Sequence, residues 1–156
     1  MRERLVLSGL TLAALLALAS CSDDLGPVVV ERFTATLNGA NEVPPVTTTA
    51  TGTATFTLLT GNILTYRLDV AGITGVAAAH IHAPIDPATN TGPVRVTLSG
   101  AVGGAFTGTL AEGLAPAVVG ISMDSLLVLM RSGNSYANVH TSANPGGEIR
   151  GQIVKQ

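Results

Sequence analysis

The stretch Thr51-Gly-Thr-Ala-Thr-Phe-Thr-Leu-Leu59, Thr60-Gly-Asn62, Ile63-Leu-Thr-Tyr-Arg-Leu-Asp-Val70 decides the fold class. Both arms are rich in Thr, Ile, Leu, Val and aromatic residues, and the Thr-Gly-Asn between them is turn chemistry, so the segment reads as a β-hairpin. In the second arm, side chains alternate across the strand: Leu64, Tyr66, Leu68 and Val70 share one face, and Ile63, Thr65, Arg67 and Asp69 the other. One face is inward and the other wet, as in an antiparallel sheet.

Upstream, Phe33-Thr-Ala-Thr-Leu37 has the same period of two and ends at Asn38-Gly39. Glu42-Val-Pro-Pro-Val46 cannot lie inside a sheet because neither proline has an N–H to donate; it is expected as a loop or blunted edge. Downstream, Gly72 and Gly75 punctuate the exit from the hairpin, and Val76 to His82 forms a further strand. A Pro/Asp/Thr/Asn/Gly loop runs to Pro93. Val94 to Leu98 and Ala105 to Leu110 alternate again around Gly100, Gly103 and Gly104.

One segment has helical period, Asp124 to Arg131. Ser122 or Asp124 can cap it, Leu126, Leu127 and Met130 cluster on one face, and Gly133 suits the left-handed residue that stops it. Strands Tyr136 to His140 and Glu148 to Val154 follow, joined by Asn144-Pro-Gly-Gly147. About eight short strands and one brief helix near 124–132 predict an all-β, antiparallel fold. That fold is a β-sandwich of immunoglobulin-like or superoxide-dismutase-like Greek-key type, or a partly closed barrel.

The three histidines of the chain fall in two strands. His80 and His82 share a face of one strand opposite Ile81, and Tyr136, Asn138 and His140 share a face of the other. Should the strands adjoin, three imidazoles meet. Histidines at i and i+2 of a strand are about 6–7 Å apart at the backbone, within reach of one ion, and His140 would complete a three-nitrogen site for zinc or copper. Glu148 and Glu42 are candidates to add an oxygen or to orient a ring from behind. A structural role for the imidazoles, bonded to carbonyls or to Asn138, Thr141 and Tyr136, is the competing reading. Glu148 and Arg150 alternate onto one face and read as a solvated or cross-strand ion pair. Gly146 and Gly147 read as turn residues needing positive φ.

The formal net charge of -2 over 156 residues, without a basic stripe, argues against a nucleic-acid partner. The N-terminus has its own logic. Arg2 and Arg4 precede an apolar run from Leu5 to Ala17, too short for a bilayer span of about 20 residues but suited to a signal peptide. Leu18-Ala-Ser-Cys21 resembles the bacterial lipobox, and Cys21 is the only cysteine. Residues 1–20 are thus expected to be a cleaved lipoprotein signal peptide, and residues 21–31 a tether that carries acyl chains such as palmitate on Cys21. Residues 32–155 would then form one extracytoplasmic domain anchored to the cell envelope, without an internal disulfide. Loss of Arg2, Glu3 and Arg4 takes the formal charge from -2 to -3, so the membrane partner would be reached through lipid alone.

Thr36-Leu-Asn-Gly-Ala-Asn-Glu-Val-Pro-Pro45, Ala79-His-Ile-His82, Gly92-Pro93 and Gly133-Asn-Ser-Tyr-Ala-Asn-Val-His-Thr141 resemble the CHRD domain. Asn144-Pro-Gly-Gly-Glu-Ile-Arg-Gly-Gln152 completes the pattern, and with it a structural motif of Asn138, Gly147 and Arg150. The module is named after chordin, an animal antagonist of bone morphogenetic proteins, and also occurs in bacterial exported proteins. The resemblance spans about Phe33 to Ile153 and implies a β-sandwich-like extracytoplasmic module without an established reaction.

Three functions stay open. One is an envelope-anchored binding module with a His80, His82, His140 metal site. A second is an adhesion or interaction domain for an envelope protein, peptide or glycan, with structural histidines; the loops 83–93 and 141–147 would display its surface, though Trp is absent. The third is a metal-dependent enzyme. The His-x-His strand is similar to that of copper-zinc superoxide dismutases, but their remaining histidines and disulfide cysteines are missing, and no serine or cysteine nucleophile is recognisable.

Overall fold

The structure is a computed structural model that describes residues 26–156. The expected signal peptide, Cys21 and the start of the expected tether lie outside the described residues. Eight strands and one helix follow in the order β1 (Val29–Asn38), β2 (Thr51–Leu59), β3 (Ile63–His82), β4 (Val94–Ser99), β5 (Val102–Leu114), α1 (Met123–Arg131), β6 (Tyr136–Thr141), β7 (Ile149–Gln152) and β8 (Val154–Lys155). Every strand pairing is antiparallel.

All eight strands belong to one hydrogen-bonded sheet. Strands β1, β2, β3, β6 and β7 close a ring through the β2–β3 pairing, so the architecture is a five-stranded barrel rather than two separate stacked sheets. Closure leaves fewer open edges. The predicted hairpin is present, with Phe56 opposite Tyr66 and Leu58 opposite Leu64.

The largest departure from the sequence reading is β3. Two strands were expected, ended by Gly72 and Gly75; instead one strand of 20 residues runs through both. The glycines sit at φ +66 where the β3–β5 register shifts, so they bend the strand without ending it. The bend lets β3 serve two neighbourhoods: its first half pairs with β2 and β5, its last turns with β6 and β4. β1 also begins earlier than expected, with Val29 and Glu31 already paired to β2.

The core gathers Phe33, Leu37, Phe56, Leu68, Ile81 and Ile149, each at most 1% exposed, and α1 closes it with Leu126, Leu127 and Met130. Ser122 caps the helix by accepting from Ser125 N–H at 3.1 Å. Asp124, the other capping candidate, instead accepts from Asn62 Nδ2 at 2.6 Å. Arg131 in the last turn pairs with Glu31 at 2.8 Å, and Gly133 leaves the helix at φ +69. Among the described residues no helix is long and apolar enough to cross a membrane.

The segment after β1 is loop, as its prolines led one to expect, with no strand between Glu42 and Ala50. From Glu42 to Thr48 it folds against the 143–148 turn, where the Thr48 hydroxyl donates to Glu148 Oε1 at 2.8 Å.

Candidate metal centre

β3 and β6 are adjoining strands, with Ala78 opposite His140, His80 opposite Asn138 and His82 opposite Tyr136. Ala79, Ile81, Ala137 and Val139 point into the core at 0% exposure. Strict alternation therefore puts His80, His82, Tyr136, Asn138 and His140 together on the opposite face. His140 lies diagonally across from His80, which is within reach of long side chains on neighbouring strands.

The rings converge. Their centroids are 4.9 Å apart for His80–His140, 5.6 Å for His80–His82 and 6.0 Å for His82–His140. One ligand nitrogen from each lies within 4.8 Å of the other two.

Two rings are pinned by main-chain carbonyls. His82 Nδ1 sits 2.7 Å from Gly92 O, and His140 Nδ1 2.9 Å from Pro145 O. A carbonyl only accepts, so each Nδ1 carries the proton and each Nε2 keeps its lone pair. Those two Nε2 atoms and Nδ1 of His80 are buried without a hydrogen-bond partner. Each ring thus contributes one orphaned nitrogen.

Burial, then the nearby His140 and His82, depresses the His80 pKa from 6.5 to about 4. Burial likewise lowers that of His82, against the opposing pull of the Gly92 carbonyl. Both rings are neutral at physiological pH, the state a metal ligand requires. Metal–nitrogen bonds of about 2.0–2.1 Å put donor nitrogens roughly 3.3–3.6 Å apart, so loading needs a closure of about 1 Å, small for rings on χ1 and χ2.

Behind the site stands a stacked column. Tyr136 lies parallel to His82, 4° between planes and 4.8 Å between centroids, and the Arg150 guanidinium carbon is 3.5 Å above the Tyr136 ring. The Gly92 peptide ties this column to the 83–93 loop, accepting from His82 through its carbonyl and donating its N–H to the Tyr136 hydroxyl at 3.3 Å. Gly92 admits no side chain, since a Cβ would collide with the Pro84 carbonyl.

The carboxylates expected near the imidazoles have other employment. Glu148 accepts from Thr141 Oγ1 at 2.7 Å and Asn144 Nδ2 at 3.2 Å besides Thr48, which knits three segments together. The expected Glu148–Arg150 pair is not among the ion pairs of the described residues. Arg150 stacks on Tyr136 instead, because alternation in β7 brings it opposite Asn138. Glu42 is buried beside Gly147, with Oε1 unbonded; burial raises its pKa against the attraction of Arg150. Of the two turn glycines only Gly147 takes positive φ, at +132, and a Cβ there would strike the Glu42 carboxyl. Asn138, with Oδ1 unpaired, stands opposite His80 on one side and Arg150 on the other.

The sequence reading did not anticipate the carbonyl pins from Gly92 and Pro145 or the Arg150–Tyr136–His82 column. Main-chain acceptors leave no signature in side-chain identity. The Gly92-Pro93 pair marked the place without revealing the role.

A family model for the CHRD domain matches residues 33–153. The chain belongs to the CHRD domain family. Comparison with curated proteins and with solved structures gave no significant match. Within this CHRD domain the three histidines and Arg150 all fall inside the matched span, on strands β3, β6 and β7.

Proposed function

We propose that this CHRD domain is an extracytoplasmic binding module that holds a transition metal, zinc or copper, on His80, His82 and His140, tethered to the cell envelope by lipid on Cys21. The observation that carries the metal reading is the set of three orphaned nitrogens. Structural imidazoles satisfy their buried nitrogens, because each one left unbonded costs about 1–3 kcal/mol. Here the unbonded atoms are one per ring, and the three rings bring one ligand nitrogen each within 4.8 Å of the other two. A bound ion satisfies all three at once.

Three protein ligands leave a coordination position for water or a small ligand, as in open zinc and copper sites. Glu148, the base a hydrolytic reading would use, is held by Thr48, Thr141 and Asn144, so binding is favoured over catalysis. The tether rests on the apolar run, the Leu18-Ala-Ser-Cys21 sequence and the single cysteine.

Isothermal titration of the purified chain with zinc and with copper(II) tests the site. One equivalent should bind saturably to the wild type, and His140→Ala and His82→Ala should each abolish that heat. Equal heats in all three proteins would remove the metal from the reading. Mass spectrometry of the membrane fraction tests the tether: diacylglycerol on Cys21 is expected, and an unmodified thiol refutes it.

A further inference from the structure

Asn138 is the neighbour common to all three imidazoles. It lies directly opposite His80 across the β3–β6 pairing, diagonal to His82, and two residues before His140 on the same face of β6. At 2% exposure it is buried, and among the described residues its Oδ1 has no hydrogen-bond partner. An amide oxygen left so is costly unless something donates to it.

Two neighbours fix which way the amide points. Burial raises the Glu42 pKa, and the Asn138 side chain is among the groups that oppose the rise; burial lowers that of His82, and Asn138 again opposes. A group that favours an ionised carboxyl donates, so Nδ2 is turned to Glu42; a group that favours a charged ring accepts, so Oδ1 is turned to His82. His82 meets it with a lone pair, because its own proton is on Nδ1 against the Gly92 carbonyl at 2.7 Å and its Nε2 is buried and unbonded. Two buried acceptors are thus set side by side.

Such a pair is reconciled by a cation, by a proton donor or by both. A metal takes the nitrogen. Zinc and copper draw their ligands from imidazole, thiolate and carboxylate rather than from neutral amides, so the amide oxygen is left for what the metal carries. Given a metal on the three imidazoles, as proposed above, we infer that Asn138 is a specificity-determining residue of the site: its Oδ1 accepts a hydrogen bond from the ligand in the open coordination position. It selects water and other neutral ligands that bear a proton, and it repels anions that carry only lone pairs.

Azide, which has no proton to donate, and ammonia, which has several, are the probes. The purified chain is loaded under argon with one equivalent of cobalt(II), whose visible absorption reports its ligands, and titrated with each in alkaline buffer, where ammonia is the free base. Asn138→Leu removes the acceptor, so azide should bind about tenfold more tightly and ammonia about tenfold more weakly than in the wild type. A change in packing or access would move both probes the same way. Leucine is larger than asparagine and the position is buried, so Asn138→Ala is the second variant and should show the same crossing of affinities. Cobalt uptake with both probes unaltered, or shifted in the same direction, overturns the role of Asn138 and leaves the metal site standing. A wild type that takes up no cobalt overturns both.

Discussion

Tyr136 and His82 lie face to face, 4.8 Å between ring centroids and 4° from parallel. They are directly opposed residues of β6 and β3, so the stack follows from strand register. It fixes the plane of an imidazole whose Nδ1 is already bound to Gly92 O.

A positioning role for that ring predicts a split between two variants. Tyr136→Phe keeps the stack and loses only the hydroxyl that accepts from Gly92, so metal affinity should stay within a few-fold and stability fall by about 1 kcal/mol. Tyr136→Ala frees His82 and should weaken metal binding about 10- to 100-fold, as loss of ligand-orienting groups does. Titration calorimetry of both variants reads the difference, and equal affinities would show that the stack orients nothing.

Metal should also stabilise the fold. At a free concentration of about 100 times Kd the gain is about 2.7 kcal/mol, or a rise in Tm on the order of 10 °C for a domain of this size. Scanning calorimetry of wild type and His140→Ala with and without zinc checks this; the variant should show no rise.

The metal-free protein should lose stability in two separate pH windows. His80 and His82 have folded pKa values below the ordinary 6.5, so the folded state disfavours their protons; their contribution is full above 6.5 and drains away as pH falls through the folded values, about 4 for His80. Burial pushes the Glu148 carboxyl up, but hydrogen bonds from Thr141, Thr48 and Asn144 together outweigh it and hold it below 4.5. Its contribution is present above 4.5 and is lost as pH falls through the depressed value. Glu42 works the other way: its raised pKa favours the fold below 4.5 and that benefit fades as pH rises through the folded value. Urea midpoints across this range should therefore fall first in the histidine window. Glu148→Gln should flatten only the more acidic limb.

The loop peptide at Gly92 is a structural keystone for the site. In Gly92→Ala the new methyl collides with the Pro84 carbonyl, so the 83–93 loop must shift and the His82 pin with it. Metal affinity should drop at least tenfold while the far-UV circular dichroism of the barrel persists, since β2, β3 and β5 are untouched. Unaltered affinity would mean that the loop does not hold the ring.

The helix carries a stability cost that is independent of the site. Leu126→Ala and Met130→Ala each empty a fully buried position and should cost about 2–5 kcal/mol, against about 1 kcal/mol for loss of the cap in Ser122→Ala. Urea denaturation measures these losses, and zinc stoichiometry should be unchanged in all three.

The sequence by itself determined which faces are wet and which are dry. Period-two alternation assigned His80, His82, Tyr136, Asn138 and His140 to the polar faces of their strands, and turn and cap residues located the hairpin and the helix, because these are local consequences of backbone geometry. Only the tertiary structure decided the rest. It bent β3 at Gly72 and Gly75 without ending it, since β5 stays paired to Ile73 and Thr74 through the bend and outweighs the turn preference of two glycines. It closed the sheet into a ring, set β3 beside β6, and supplied the Gly92 and Pro145 carbonyls that choose each imidazole's tautomer. It also separated Arg150 from Glu148 and laid it on Tyr136. Strand neighbours and main-chain acceptors are long-range facts, fixed by how the whole barrel buries its apolar faces, and no short stretch of side chains encodes them.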